Sequence, residues 1–194
     1  MNVIKTELEG VVIIEPKVFK DERGYFFESF NQKEFNEKVQ HIEFVQDNES
    51  LSSHNVLRGL HWQIGEFAQS KLVRVAKGSV YDVAVDIRVD SPTFGKYVVV
   101  GLSEFNHRQL FIPRGFAHGF ITIKDDTIFQ YKCDNFYNKE SECAIRWNDP
   151  DINIDWESYV NLNQIILSDK DKQNKFLKDL NINNLFDYNK NYYE

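Results

Sequence analysis

Cysteine is nearly absent from the chain: Cys133 and Cys143 are the only two among 194 residues, and their spacing forms no metal-type pair. Long apolar runs are missing as well, since nothing approaches the ~20 consecutive residues that a membrane-spanning helix requires. No cationic apolar leader precedes the first strand-like run at residues 11–14, so a cytoplasmic protein with reduced thiols is expected. The alternative is a disulfide across a hairpin in an oxidising compartment. An excess of positive charge is the third absence. With 30 Asp and Glu against 23 Lys and Arg, and a formal charge of −7, the chain lacks the basic footprint of a general nucleic-acid binder. A small phosphorylated ligand remains compatible, because a few converging Arg and Lys side chains suffice to hold it. No internal repeat or linker divides the sequence. One domain over residues 1–194 is expected, with a barrel core at about 11–148 and a C-terminal segment, 149–194, packing on it.

What the chain does have is aromatic residues, 14% of the total with 16 Phe and 9 Tyr, which suit the pleated surface of strands. Short runs rich in Val, Ile, Phe and Tyr recur between turn signals up to about residue 148, the spacing of a sandwich or barrel. The clearest hairpin pairs residues 71–75 with 80–88 through a turn at 76–79, where Gly78 supplies the positive φ. In its second strand Tyr81, Val83, Val85 and Ile87 share one face, and Asp82, Ala84, Asp86 and Arg88 the other. Taken by itself, that polar face reads as solvated, the alternative being the lumen of a small barrel, where carboxylates and guanidinium would pair. Helices are expected at 32–39, where Phe35 and Val39 sit four apart, and at 172–180, where Phe176, Leu177 and Leu180 form a stripe. Beyond residue 181, Leu185 and Phe186 are the apolar anchors of a tail that either packs or frays.

Three clusters carry chemistry. The segment Arg58-Gly-Leu-His61-Trp-Gln63 sets an Arg and a His three apart, with Lys71 close behind. A lone His is usually a structural imidazole; beside two cations it becomes a functional candidate. Next, Pro113-Arg-Gly-Phe-Ala-His118 resembles the second motif of cupin barrels. In metal-binding cupins the first motif carries His-x-His, but here Gln63 stands where the second His belongs. A carboxamide is the weaker ligand, so metal-free chemistry is favoured, with a site of His61, Glu66 and His118 as the alternative. In the third cluster, alternation puts Tyr131, Cys133, Asn135 and Tyr137 on one face, either as ordinary strand aromatics or as an acid and a stacking ring.

Further pieces complete an ordered set: Phe19 through Glu28, Phe44-Val-Gln46-Asp-Asn48, Asp86-Ile-Arg88, Ser91 through Gly95, Trp147-Asn-Asp-Pro150 and Leu167-Ser-Asp-Lys-Asp171. Each is weak singly. In this order, nearly end to end, they resemble the dTDP-4-dehydrorhamnose 3,5-epimerase family. The resemblance implies an all-β jelly-roll or cupin barrel with a few short peripheral helices. It also implies a homodimer whose N-terminal strands reach into the partner, and no metal or organic cofactor. The implied substrate is dTDP-4-dehydro-6-deoxyglucose, inverted at the two carbons flanking its C4 ketone. By the same resemblance His61 is the base, Asp171 its orienting carboxylate with Asp82 as rival, and Tyr131 the acid. Arg23, Glu28, Gln46, Asn48, Arg58, His118, Glu142 and Lys170 contact sugar or diphosphate, and Tyr137 stacks on thymine. Chemistry adds Lys71 independently: a carbon acid beside a ketone is too weak for imidazole unless a fixed cation or donor stabilises the enolate oxygen. The chain departs from the family pattern at Trp62, at residues 64–67 and at residues 134–137. The competing functions are a C3-only epimerase, an epimerase of another nucleotide sugar, a metal-dependent cupin enzyme and a sugar-binding cupin without catalysis.

Overall fold

The computed structural model describes residues 1–193, and its regular structure is mostly strand. In chain order these are β1 (Asn2–Lys5), β2 (Val12–Glu15), β3 (Phe19–Asp21), β4 (Gly24–Phe26), helix α1 (Gln32–Lys38), β5 (Gln46–Ser52) and β6 (Leu57–Gln63). Then come β7 (Lys71–Lys77), β8 (Ser79–Asp86), β9 (Arg88–Val89), β10 (Tyr97–Ser103), β11 (Gln109–Ile112), β12 (Phe116–Thr122) and β13 (Thr127–Cys133). The chain closes with β14 (Glu142–Ala144), helix α2 (Asp169–Lys172) and β15 (Phe186–Asp187). Two antiparallel sheets, ordered β1-β2-β11-β7-β13-β5 and β10-β8-β12-β6-β14, face each other as a jelly-roll barrel. Among the described residues no helix is long and apolar enough to cross a membrane.

The inner faces of the two sheets are covered and each outer face in part, with Leu51 on β5 staying 64% exposed. Between the sheets lie Val73, Val75, Ala84, Leu110, Phe120 and Phe129. Outside the second sheet Val83, Val85, Ile87 and Ile145 pack under the C-terminal segment through Trp156 and Phe186. Outside the first sheet α1 inserts Phe35 edge-on against Phe111, ring centroids 5.2 Å apart. The expected helix at 32–39 thus ends at Lys38, with Asn31 capping its start by accepting from the Glu34 N–H at 3.0 Å.

Three expectations are corrected. Strands β7 and β8 are not a hairpin: they belong to different sheets, and the chain crosses the barrel at Gly78. There φ is +85°, and a Cβ would stand 2.4 Å from the Thr127 hydroxyl, so only glycine fits. The polar face of β8 is not solvated either, because Asp82 and Asp86 are both 0% exposed: one faces the lumen and the other is clasped by Arg88 at 2.7 Å. Last, no α-helix spans 172–180. Helix α2 stops at Lys172 and only a 3₁₀ turn, Leu177–Asp179, follows. The apolar stripe docks on the barrel through loop bonds instead: Leu177 N–H donates to Asp149 at 2.6 Å, and Arg146 N–H to the Lys175 carbonyl at 2.9 Å. The tail after residue 181 packs, with Phe186 3% exposed and β15 running parallel to β9. Cys133 and Cys143 are free thiols on strands of opposite sheets.

Candidate active site

The lumen opens into two adjoining lobes that share His61, Lys71 and Tyr131. His61 belongs to β6 in one sheet, whereas Lys71 and Tyr131 come from β7 and β13 in the other. The imidazole therefore approaches the cavity from one wall, and the ammonium and phenol from the opposite wall. A lobe of about 470 Å³ is lined by Arg58, His118, Phe120, Phe129, Lys170 and Asp171, and one of about 270 Å³ by Gln46, Asn48, Cys133, Tyr137 and Glu142.

Strict alternation would put Arg58 and His61, three apart, on opposite faces of β6. A bulge prevents this: His61 pairs with His118 and Arg58 with Phe120, so three steps on β6 match two on β12. The strands approach so closely there that a Cβ on Gly59 would meet the Gly119 Cα at 2.6 Å.

His61 Nε2 lies 2.6 Å from Asp171 Oδ1, across 110 residues of sequence. The C-terminal segment is brought there by a parallel bridge between Val56 and Ile166, after which Ser168 caps α2. Ser168 Oγ donates to Asp171 Oδ2 at 2.9 Å and Asn174 Nδ2 donates to Oδ1 at 3.4 Å. Burial would raise the Asp171 pKa, but the bonds from His61, Ser168 and Asn174 outweigh it and the net shift is downward. A carboxylate only accepts, so Nε2 carries the proton and Nδ1 holds the free lone pair. Asp82 does not serve His61. Its two oxygens each lie 3.0 Å from His118 Nε2 deep in the lumen, where burial drives both groups toward their neutral forms.

The Lys71 ammonium lies 6.0 Å from the Tyr131 ring. Burial lowers the Lys71 pKa against the opposing charges of Cys133, Asp82 and Glu142, and burial raises that of Tyr131. Arg58 donates to the Ser52 hydroxyl at 3.1 Å and makes no ion pair among the described residues, leaving its charge for an anion. Glu142 takes the Lys170 ammonium at 2.5 Å and the Tyr137 hydroxyl at 2.9 Å, while Tyr137 N–H donates to Gln46, which in turn donates to Asn48.

Two expected contacts stay outside the cavity. Arg23 pairs with Asp21 on the β3–β4 hairpin with 86% of its side chain exposed, and Glu28 bonds Asn31 beside a separate recess. The hairpin strands pair only with each other among the described residues and join neither sheet of the barrel. Asn135 also turns from the lobe, donating to the Glu66 and Ala68 carbonyls. Among the described residues no three His, Cys, Asp or Glu side chains gather to hold a metal ion, and His118 Nε2 is committed to Asp82. Gln63, at the position of the second cupin His, holds the Tyr137 loop instead: its Oε1 accepts from Asn138 N–H at 2.6 Å. Sequence reading missed this role, and it missed Ser168 and Asn174. The Ser-x-x-Asp spacing of a helix cap was the available signal for Ser168.

Fold and site together define a cupin-type barrel equipped for acid–base chemistry, with a His–Asp pair facing a phenol and an ammonium. The family model described as dTDP-4-dehydrorhamnose 3,5-epimerase matches residues 5–179. The chain is 57% identical over 174 residues to the dTDP-4-dehydrorhamnose 3,5-epimerase of Escherichia coli K12, covering 89% of this chain and 92% of that one. Among solved structures, the dTDP-6-deoxy-D-glucose-3,5-epimerase of Legionella pneumophila, in complex with dTDP-4-keto-L-rhamnose, matches with TM-score 0.92 and 46% identity over 97% of this chain and 99% of that one. A 3'-monoepimerase of Streptomyces bikiniensis in complex with dTDP-quinovose matches with TM-score 0.88 and 28% identity over 95% and 93%. The chain belongs to the dTDP-4-dehydrorhamnose 3,5-epimerase family, and its class of activity is isomerase.

Proposed function

We propose that the protein inverts C3 and C5 of dTDP-4-dehydro-6-deoxyglucose, giving dTDP-4-dehydro-L-rhamnose for deoxysugar and surface polysaccharide synthesis. One observation carries the mechanism: His61 and Tyr131 line the same cavity from opposite sheets. Neutral His61 takes the C3 proton at Nδ1, and the electron pair moves into the C4 carbonyl. Each pKa unit between carbon acid and base costs about 1.4 kcal/mol, so imidazole needs the enolate oxygen stabilised. Lys71, desolvated in the lumen, supplies that charge where it acts most strongly. Asp171, held as a carboxylate, stabilises the imidazolium. Tyr131, whose raised pKa keeps its proton at neutral pH, then protonates the carbon from the other face. A second cycle at C5 repeats the sequence. Each cycle leaves one proton on His61 and takes another from Tyr131, and exchange with solvent resets both groups, so carbon gains and loses one proton with no net oxidation or reduction.

Arg58 is assigned to the diphosphate, Tyr137 to the thymine face, and Gln46, Asn48, His118, Glu142 and Lys170 to the substrate's polar groups. Arg23 and Glu28 fit a homodimer in which the N-terminal hairpin enters the partner's site. Exposure of Phe19, Tyr25 and Phe26 at 52%, 56% and 68% supports that reading, since apolar rings grouped on an exposed hairpin suit a contact surface. The free thiols support a cytoplasmic location. The likeness to a monoepimerase makes C3-only inversion the second reading. Proton NMR of the dTDP-4-dehydro-6-deoxyglucose reaction in D₂O separates the two. Deuterium at C3 and C5 is expected; deuterium at C3 alone selects the second reading, and none at either carbon contradicts both.

A further inference from the structure

The family match ends at residue 179, yet the tail beyond it is built into the barrel end that carries Lys71. Ser70, 0% exposed, immediately precedes Lys71, and Asp134 immediately follows Cys133, the residue paired with Lys71 across the β7–β13 ladder. Ser70 and Asp134 close that ladder: Ser70 N–H donates to Asp134 Oδ1 at 2.6 Å, and Asp134 N–H to the Ser70 carbonyl at 3.3 Å. Asp134 Oδ2 accepts from Arg114 Nε at 3.1 Å, and Arg114 donates onward to the Tyr192 carbonyl at 2.6 Å. Tyr193 completes the cluster. Its hydroxyl lies 2.8 Å from Ser70 Oγ and accepts from Arg114 N–H at 3.1 Å, while its ring lies 5.1 Å from the Arg114 guanidinium. The tail is anchored upstream by buried Phe186, and Tyr192 accepts from Asp187 N–H at 2.7 Å.

We propose that Tyr193 is a positioning residue: by bridging Ser70 and Arg114, it seals the barrel end beside Lys71 and fixes where that ammonium sits. The proposal rests on the reading of Lys71 as the enolate stabiliser. The charged and titratable groups lining the lobes with Lys71 are Arg58 and His61 on β6, His118 on β12, Tyr131 and Cys133 on β13, Tyr137, Glu142 on β14, and Lys170 and Asp171 on α2, and the charge of Asp82 on β8 also acts on it; none lies beyond residue 179. Loosening the seal therefore acts on Lys71 through hydration and placement. Since burial lowers the Lys71 pKa, admitting water raises it.

The test uses the full chain, with Lys71 titrated by trace acetic anhydride labelling across pH and quantified by mass spectrometry. Tyr193→Phe is expected to move the Lys71 midpoint upward and to lower kcat about tenfold with KM unchanged, part of the roughly hundredfold that a full ångström of misplacement costs. Ser70→Ala, which removes the opposite end of the bridge, is expected to act in the same direction. A midpoint and kcat equal to wild type in both variants overturns the proposal, even if thermal stability falls. The labelling readout is independent of turnover. An inactive wild-type protein would defeat the epimerase reading, while the midpoint would still decide whether Tyr193 governs the surroundings of Lys71.

Discussion

In the proposed mechanism His61 serves as the base because Asp171 occupies its other nitrogen, 2.6 Å away. Replacing Asp171 with Asn offers Nε2 an amide and leaves the tautomer unfixed. The variant is expected to lose roughly three to four orders of magnitude in kcat with little change in KM, measured by steady-state kinetics. On the opposite wall the pKa values of Lys71 and Tyr131 are displaced in opposite directions by burial. The proposed role of Lys71 is that of an ammonium, so exchange is expected to fall as pH rises through its pKa, below the ordinary lysine range. A Tyr131→Phe variant is expected to retain this alkaline limb in its exchange rate, and a Lys71→Met variant to lose both the limb and most of the rate. A Tyr131→Phe profile without the limb would transfer it to the phenol.

At the level of elements, the site depends on β6 and β12 lying close enough for their bulge to turn Arg58 and His61 the same way. Gly119 permits that approach: a Cβ there would stand 2.6 Å from the Arg58 carbonyl oxygen. Gly119→Ala is expected to cost about 1–3 kcal/mol, lowering Tm by about 2–4 °C for each kcal/mol, and to raise KM as Arg58 shifts. Calorimetry and kinetics on one preparation check both. The strand-rich class was legible in the spacing of apolar runs, and the short helix around Phe35 in its periodicity. The crossing at Gly78 was not, because a glycine turn reads alike whether the next strand pairs with the last or passes to the other sheet. Nor does alternation distinguish a polar face turned to water from one turned into a lumen, as Asp82 and Asp86 demonstrate. The apolar stripe at 176–180 looks the same whether it docks as helix or as loop. The neighbourhood of His61 and Asp171 lay beyond any local pattern, since 110 residues separate them and tertiary bonds alone join them.

For the molecule as a whole, a single chain leaves Arg23 on an exposed hairpin, away from the cavity that its proposed role requires. If the hairpin serves a partner, Arg23→Ala and His61→Asn chains, each inactive as a homodimer, are expected to regain about a quarter of the wild-type sites when unfolded together and refolded at random. No regain would place Arg23 outside the partner's site. The central claim concerns the two sheets, one presenting the base and the other the acid to opposite faces of one sugar ring. It is tested most directly by comparing solvent deuterium exchange with product formation in two variants on dTDP-4-dehydro-6-deoxyglucose. His61→Asn should abolish exchange at both carbons, whereas Tyr131→Phe should continue to exchange while product formation collapses. Undiminished product from Tyr131→Phe, or persistent exchange in His61→Asn, would contradict the account.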